Sequence, residues 1–297
     1  MLTSASDWCY SVLHVWTALP SGVRYGIVVA CGLGVGSFIT VVVHRLPVMM
    51  QRAWRAEIAE ASGATEPDDG YPSRYDLWRP RSACPHCGHA LRAWENIPLV
   101  SYLLQRGRCR QCGYAIGIRY PLIELACALL AAASLAAFGS TIAALAAFGL
   151  CAALLAMSVI DIQTGYLPDS ITLPLLWAGL VLNLASTFTS LRAAVIGTMA
   201  GYLLLWSIYW LFRWLRGIEG IGFGDLKLLA TLGAWMGWAA LPQVVLFAAV
   251  ASAIVGLVAT RRGRMRFEEP ISFGPFLATG GGVTLFFGTP LYSMLGH

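Results

Sequence analysis

"TIAALAAFGLCAALLAMSVI", Thr141 to Ile160, runs for twenty residues without a charged side chain. An α-helix rises about 1.5 Å per residue, so a run of this length matches the ~30 Å hydrocarbon core of a bilayer. Comparable apolar runs recur on both sides of it. They lie near Arg24–Val43, Pro121–Phe138, Ile171–Phe188, Ala193–Phe212, Asp225–Trp238 (short), Leu241–Thr260 and Phe273–Leu295. Of the 297 residues 58% are hydrophobic and 12% charged, against roughly 25% charged in a soluble domain. The expected fold is therefore an all-α polytopic membrane protein with about eight transmembrane helices.

Cationic residues orient such a protein, because short loops rich in Lys and Arg stay on the cytoplasmic side. Eleven arginines fall between Arg45 and Arg119, Arg213 and Arg216 sit in a second loop, and Arg261, Arg262, Arg264 and Arg266 in a third. With eight spans and the N-terminus outside, all three loops share one face, and Arg24 and Arg192 remain for the other. The formal charge of +5 thus reports topology and not nucleic-acid binding. The first twenty residues carry Asp7 and lack a basic segment ahead of an apolar one, unlike a cleavable signal peptide, so the first span is the expected insertion signal. The expected organisation is an outer N-terminus with the first helix at 1–44, a cytoplasmic insert at 45–120, and a seven-helix membrane domain at 121–297.

Four of the eight cysteines, Cys9, Cys31, Cys127 and Cys151, sit in or near apolar runs and read as small buried hydrophobes. The other four form "CPHC" at Cys84–Cys87 and "CRQC" at Cys109–Cys112, separated by 21 residues and each followed by glycine. That spacing is the pattern of a four-cysteine tetrahedral zinc site. Four thiolates leave no open coordination position, so the zinc is expected to be structural, with His86 and His89 as bystanders. A zinc ribbon with Arg106, Arg108 and Arg110 also suggests nucleic acid. Against that, Glu57, Glu60, Glu66, Asp68, Asp69, Asp76 and Glu95 dilute any basic face of the insert.

Few acids lie in or beside the apolar runs. Glu124 follows Pro121 and reads as a partner of a helix N-terminus, and Asp169 before Ser170 as a helix cap. Asp161, directly after the uncharged run, and Asp225, in "GIGFGDLKLLATLGAWMGW" (Gly220–Trp238), have no such structural reading. The topology puts both at the same depth on one face. Two close carboxylates share a proton, giving one acid and one base, the equipment for adding water to an amide. Gly222 and Gly224 lack Cβ and let an extended substrate strand approach beside Asp225. Asp225 opens a helix and Asp161 closes one, so the helix dipole favours Asp225 as the ionised base and Asp161 as the protonated acid. Lys227, the only lysine, is two residues beyond Asp225 and reads as a modulator of the pair or a lipid-phosphate ligand.

With these residues in view, the chain resembles the bacterial type IV prepilin peptidases from Gly36 onward. The blocks that carry the resemblance occur in family order: "GSFITVVVHRLP" (Gly36–Pro47), the two cysteine pairs, "ENIPLVSYLLQRGRCRQCG" (Glu95–Gly113), "RYPLIEL" (Arg119–Leu125), "DIQTGYLPDSITLPLLWAGL" (Asp161–Leu180) and "GFGDLKLLATLGAWMGW" (Gly222–Trp238). The resemblance implies that Asp161 and Asp225 are the catalytic aspartates of a membrane protease at the cytoplasmic face of the inner membrane. It implies removal, after a glycine, of the basic leader of type IV prepilins or type II secretion pseudopilins. Methylation of the new N-terminal residue with S-adenosylmethionine would follow. It places methyl transfer on the insert, where Glu95, Asn96 and Gly107 are the candidates. The first block departs from the family, with Thr40 in place of a common asparagine. Two other readings remain: a protease of the same GxGD type acting within the membrane without methylation, and a transporter whose acids bind cations or protons. The latter would more naturally hold its ion near the bilayer midplane.

Overall fold

A computed structural model of the chain describes residues 15–63, 70–217, 222–263 and 272–289. Expectations for Cys9, Glu66, Asp68, Asp69, Arg264, Arg266 and the end of the last span lie outside them. The described residues are helical, with no strand beyond two isolated bridges, Ala83↔Ala90 and Arg108↔Ala115. Among the described residues five helices are long and apolar enough to cross a bilayer. Three further apolar helices have only 14 to 16 residues; at 1.5 Å per residue a 14-residue helix covers about 21 Å. Eight full crossings are therefore not established.

The chain divides into two compact units, Met1–Phe148 and Gly149–His297. In the first, α1 (Ser21–Ser62) packs on α3 (Arg119–Phe138). A Cβ on Gly36 would lie 2.6 Å from the Glu124 Cα, so the two backbones meet at a small residue, as membrane helices commonly do. Helix α1 does not stop where the insert was expected to begin. It continues past Pro47 to Ser62, and its polar half holds the loop that follows. Arg45 donates to the carbonyls of Asp76 (2.8 Å) and Pro80 (2.6 Å), and Arg52 to those of Tyr71 and Pro72. Between them and α3 come the cysteine pairs, a 3-10 turn at Ala93–Asn96, and α2 (Val100–Leu104). Cys127 is fully buried, whereas Cys31 is exposed on α1, against expectation.

Most of α4 (Ile142–Thr164) belongs to the second unit, with α5 (Asp169–Leu184), α6 (Leu191–Arg216), α7 (Phe223–Met236), α8 (Leu241–Arg261) and α9 (Gly274–Phe287). Helix α7 is the hub: α5, α6 and α9 pack on it, and every residue from Leu228 to Trp235 is buried. A Cβ on Gly197 of α6 would lie 2.6 Å from the carbonyl oxygen of Gly233, so only glycine permits that crossing. The C-terminal end of α7 is pinned by Asn183, which is fully buried. Its amide donates to the carbonyls of Ala234 (2.9 Å) and Trp235 (3.0 Å), and its oxygen accepts from the backbone of Phe188 and Thr189. Trp235 Nε1 donates to Leu175 O at 2.8 Å. These bonds satisfy the carbonyls of Ala234 and Trp235 and anchor that end of the helix.

Candidate functional site

Asp161 lies in the last turn of α4 and Asp225 in the first turn of α7, both buried at 5% and 7% exposure. The second unit brings them within electrostatic reach of each other. Leu167, in the turn after α4, links their surroundings. A Cβ on Gly224 would lie 2.8 Å from its Cβ, and a Cβ on Gly274 would lie 3.2 Å from its Cδ1. Gly224 is thus required by packing against Leu167. Gly222 is exposed, and Asp225 engages its backbone: the Asp225 N–H donates to the Gly222 carbonyl at 3.1 Å and the Gly222 N–H donates to the Asp225 carboxylate, so both of its backbone polar groups have partners.

Gly274, which no sequence motif singled out, touches Asp161 directly. Its backbone N–H donates to the Asp161 carboxylate, and a Cβ there would lie 2.6 Å from Asp161 Oδ2. Ser272 Oγ donates to the Asp161 carbonyl at 3.2 Å. The sole available signal was Gly274-Pro275 ahead of an apolar run, which marks a helix start. With the N-terminus of α9 at Asp161, both carboxylates meet a helix N-terminus, and the dipole difference expected to order their protons is offset. Asp161 Oδ2 is buried without a hydrogen-bond partner, which leaves a position for a proton, a water or a substrate group.

Other acids depart from their expected roles. Asp169 does not cap α5 through its side chain; both its oxygens accept from Lys227 Nζ, at 2.6 and 2.8 Å. Lys227 is therefore engaged by Asp169 instead of the buried pair, and a contact this exposed contributes under about 1 kcal/mol. Glu124 lies beyond the first turn of α3 and is 8% exposed. It accepts the Leu99 N–H at 2.8 Å and a hydrogen bond from Ser37.

The cysteine pairs form two matching loops. Gly88 and Gly113 adopt φ of +70° and +72°, and their N–H groups donate to Cys84 O and Cys109 O; Cys84 and Cys109 donate in turn to His89 O and Tyr114 O. All four Sγ atoms lie within 4.8 Å of one another, with Cys84–Cys112 at 3.8 Å and Cys87–Cys109 at 4.0 Å. Sulfurs bound tetrahedrally at about 2.3 Å from zinc stand roughly 3.8 Å apart, so the set fits such an ion. The backbone N–H groups of Cys87 and His86 pull the Cys84 thiol down to about 7. Cys112 is pushed up to about 12: the Tyr114 N–H favours its thiolate, but burial and the sulfurs of Cys87, Cys109 and Cys84 outweigh it. Four thiols this close ionise together only with a cation among them.

Of the residues expected on the insert, Glu95 is buried, and it is held below the usual carboxylate range by the Arg92 N–H and then by His89, 3.3 Å away. His89 is thus a partner of Glu95 and His86 stacks on Tyr114, and neither belongs to the sulfur cluster. Glu95 and Asn96 line a cavity of about 250 Å³ in the first unit, together with Glu124. Gly107 lies outside that lining. At φ +67° it brings its backbone against Tyr102, whose Oη would be 2.9 Å from a Cβ.

Two family models match the chain: the bacterial peptidase A24 N-terminal domain over residues 30–138 and the type IV leader peptidase family over residues 148–257. Three relatives are each named prepilin leader peptidase/N-methyltransferase. That of Burkholderia pseudomallei is 72% identical over 284 residues, 96% of this chain and 92% of the relative. That of Pseudomonas aeruginosa is 51% identical over 86% of this chain and 88% of its own length. The protein from Aeromonas hydrophila is 47% identical over 89% and 91%. No solved structure matches.

Proposed function

The chain belongs to the type IV leader peptidase family, and from that premise we propose that it removes the leader of prepilins or pseudopilins after a glycine and then methylates the new N-terminus. The observation that carries the first step is the burial of Asp161 and Asp225 within electrostatic reach, with one oxygen of Asp161 unpartnered. One carboxylate takes a proton from a water molecule as the water oxygen attacks the scissile carbonyl. The other gives its proton to the carbonyl oxygen; as the C–N bond breaks, the first passes the water's proton to the departing amine and the carbonyl re-forms by returning its proton to the second.

The second step belongs to the insert at 45–120, and the peptidase to the membrane domain at 121–297, with the first helix in 1–44 as anchor. S-adenosylmethionine, when bound, supplies an electrophilic methyl group. The chain's task is to hold the fresh α-amine, whose pKa near 8 leaves a neutral fraction at pH 7, in line with it. Cys84, Cys87, Cys109 and Cys112 would hold one structural zinc, and Glu95, Asn96 and Gly107 would shape the transfer site. Arginine-rich loops support an inner-membrane protein with its N-terminus outside and this chemistry at the cytoplasmic face.

Mass spectrometry of a prepilin incubated with the purified protein and S-adenosylmethionine tests the proposal. A product shortened by the leader and carrying one methyl group is expected. Cleavage without methylation would remove the second activity, and an intact substrate both.

Gly274 gives a sharper check of the first step. A methyl group there displaces the Asp161 carboxylate or the start of α9, and misplacement by about 1 Å costs on the order of 10²-fold. Gly274→Ala is expected to lower kcat for cleavage to that extent while a pre-cleaved peptide is still methylated. Wild-type cleavage by this variant would show that Asp161 is not held from α9.

A further inference from the structure

The insert and the two helices beneath it enclose the cavity in which Glu95 and Asn96 sit. It reaches from Ser37 and Thr40 on α1 to Glu124 on α3, under the loops of Cys84 and Cys109. At about 250 Å³ it is near the small end of ligand pockets, which begin at roughly 300 Å³. Asn96 at its wall is exposed, so a ligand longer than the cavity can extend outward there.

Its ionisable lining is two acids, Glu95 and Glu124, against one arginine, Arg45, with His44 beside them. Glu95 and Glu124 are both more than nine-tenths buried. The lining arginine, Arg45, spends its Nη1 and Nη2 donors on the carbonyls of Asp76 and Pro80 and lies 5.5 Å from the centre of the Tyr75 ring. Glu95 has His89 as a partner, but Glu124 forms no ion pair among the described residues, its acceptors being met by a backbone N–H and the Ser37 hydroxyl. A buried carboxylate without a cation is costly. Tyr102, Tyr114 and Tyr120 add aromatic surface to the same wall, which also suits a cation. An anionic ligand would meet two acids against one guanidinium already held by two carbonyls, and an apolar one would leave both acids unmatched.

Resting on the methyl-transfer reading above, we propose that this cavity binds the sulfonium-bearing end of the methyl donor, with Glu124 as its principal counter-charge and Glu95 as the second. Glu124 thereby separates the donor from its product, because the sulfonium loses its charge when the methyl group leaves. The two acids come from different segments, the turn at Ala93–Asn96 and α3, and the Leu99 N–H bond to Glu124 ties one to the other.

Calorimetric titration of the purified full-length protein with sinefungin, which carries an ammonium where the donor has its sulfonium, and with uncharged-thioether S-adenosylhomocysteine tests this. Wild type is expected to bind sinefungin more tightly. Glu124→Gln keeps an acceptor for Leu99 and removes only the charge. It is expected to weaken sinefungin at least about tenfold and S-adenosylhomocysteine less than about twofold. Thr40→Leu, which narrows the cavity and removes no hydrogen bond to either acid, is expected to weaken both ligands alike. Equal effects of Glu124→Gln on the two ligands, or wild-type binding of both by Thr40→Leu, would overturn the proposal in a protein that still methylates a pre-cleaved peptide. A wild-type protein that neither binds these ligands nor methylates would instead remove the methyl-transfer reading itself.

Discussion

Asp161→Asn and Asp225→Asn are each expected to leave the leader on a prepilin, with the cleavage rate down by about 10²–10⁴-fold, the usual contribution of a positioned acid or base. Asparagine keeps the size and hydrogen-bonding outline of each side chain, so packing around Leu167 and Gly274 survives and the loss reports chemistry. Residues that act as one unit are not additive. The double variant is therefore expected to cleave no more slowly than the worse single one. Both variants should methylate a synthetic peptide that already begins at the mature N-terminus, because none of the residues assigned to methyl transfer lies beyond Glu124. Rates for the two singles that multiply in the double variant would indicate independent roles and dissolve the pair. A variant that cleaves normally would remove its aspartate from the site.

The two aspartates were legible in the sequence because an ionisable residue beside a bilayer-length apolar run is rare and calls for a partner. Hydropathy could not distinguish a helix that faces lipid from one surrounded by protein. Asp225–Trp238 reads as a short span, yet α7 is short because α5, α6 and α9 wrap it and it serves as a core. Length alone would have hinted at this. Gly274 was invisible for a different reason: its importance is the absence of a Cβ next to a carboxylate 113 positions earlier in the chain, and no local pattern encodes that approach. Lys227 and Asp169 show the same limit, since each had a sound local reading and their pairing across 58 positions displaced both. The cysteines were the opposite case. Their spacing and the glycine after each pair specify the two loops locally, so the sulfur cluster could be read before any fold was known.

Abolishing the proposed zinc site is the other change expected to act strongly, and its effect should divide the two activities. The segment from Ser82 to Gly117 contains only two isolated bridges, one 3-10 turn and a five-residue helix, too little apolar burial to offset the entropy of ordering it. Binding of structural zinc by four cysteines supplies about 10–16 kcal/mol at neutral pH, so a zinc held by these four would supply most of the order in this segment. Cys84 and Cys109 also line the cavity that holds Glu95 and Glu124. The paired variant Cys84→Ser/Cys109→Ser is expected to contain no zinc and to expose the arginines between Arg92 and Arg110 to trypsin. It should lose methyl transfer by more than about 10²-fold, while leader cleavage, carried by α4, α7 and α9, falls by less than about tenfold. Zinc content, tryptic mapping and the two activities can be read from one preparation. A zinc-free protein that resists trypsin and methylates normally would show that hydrogen bonds such as Leu99 N–H to Glu124 hold the insert without metal. Cleavage lost together with methylation would mean that the peptidase depends on the folded insert, and that the division of labour between residues 45–120 and 121–297 is wrong.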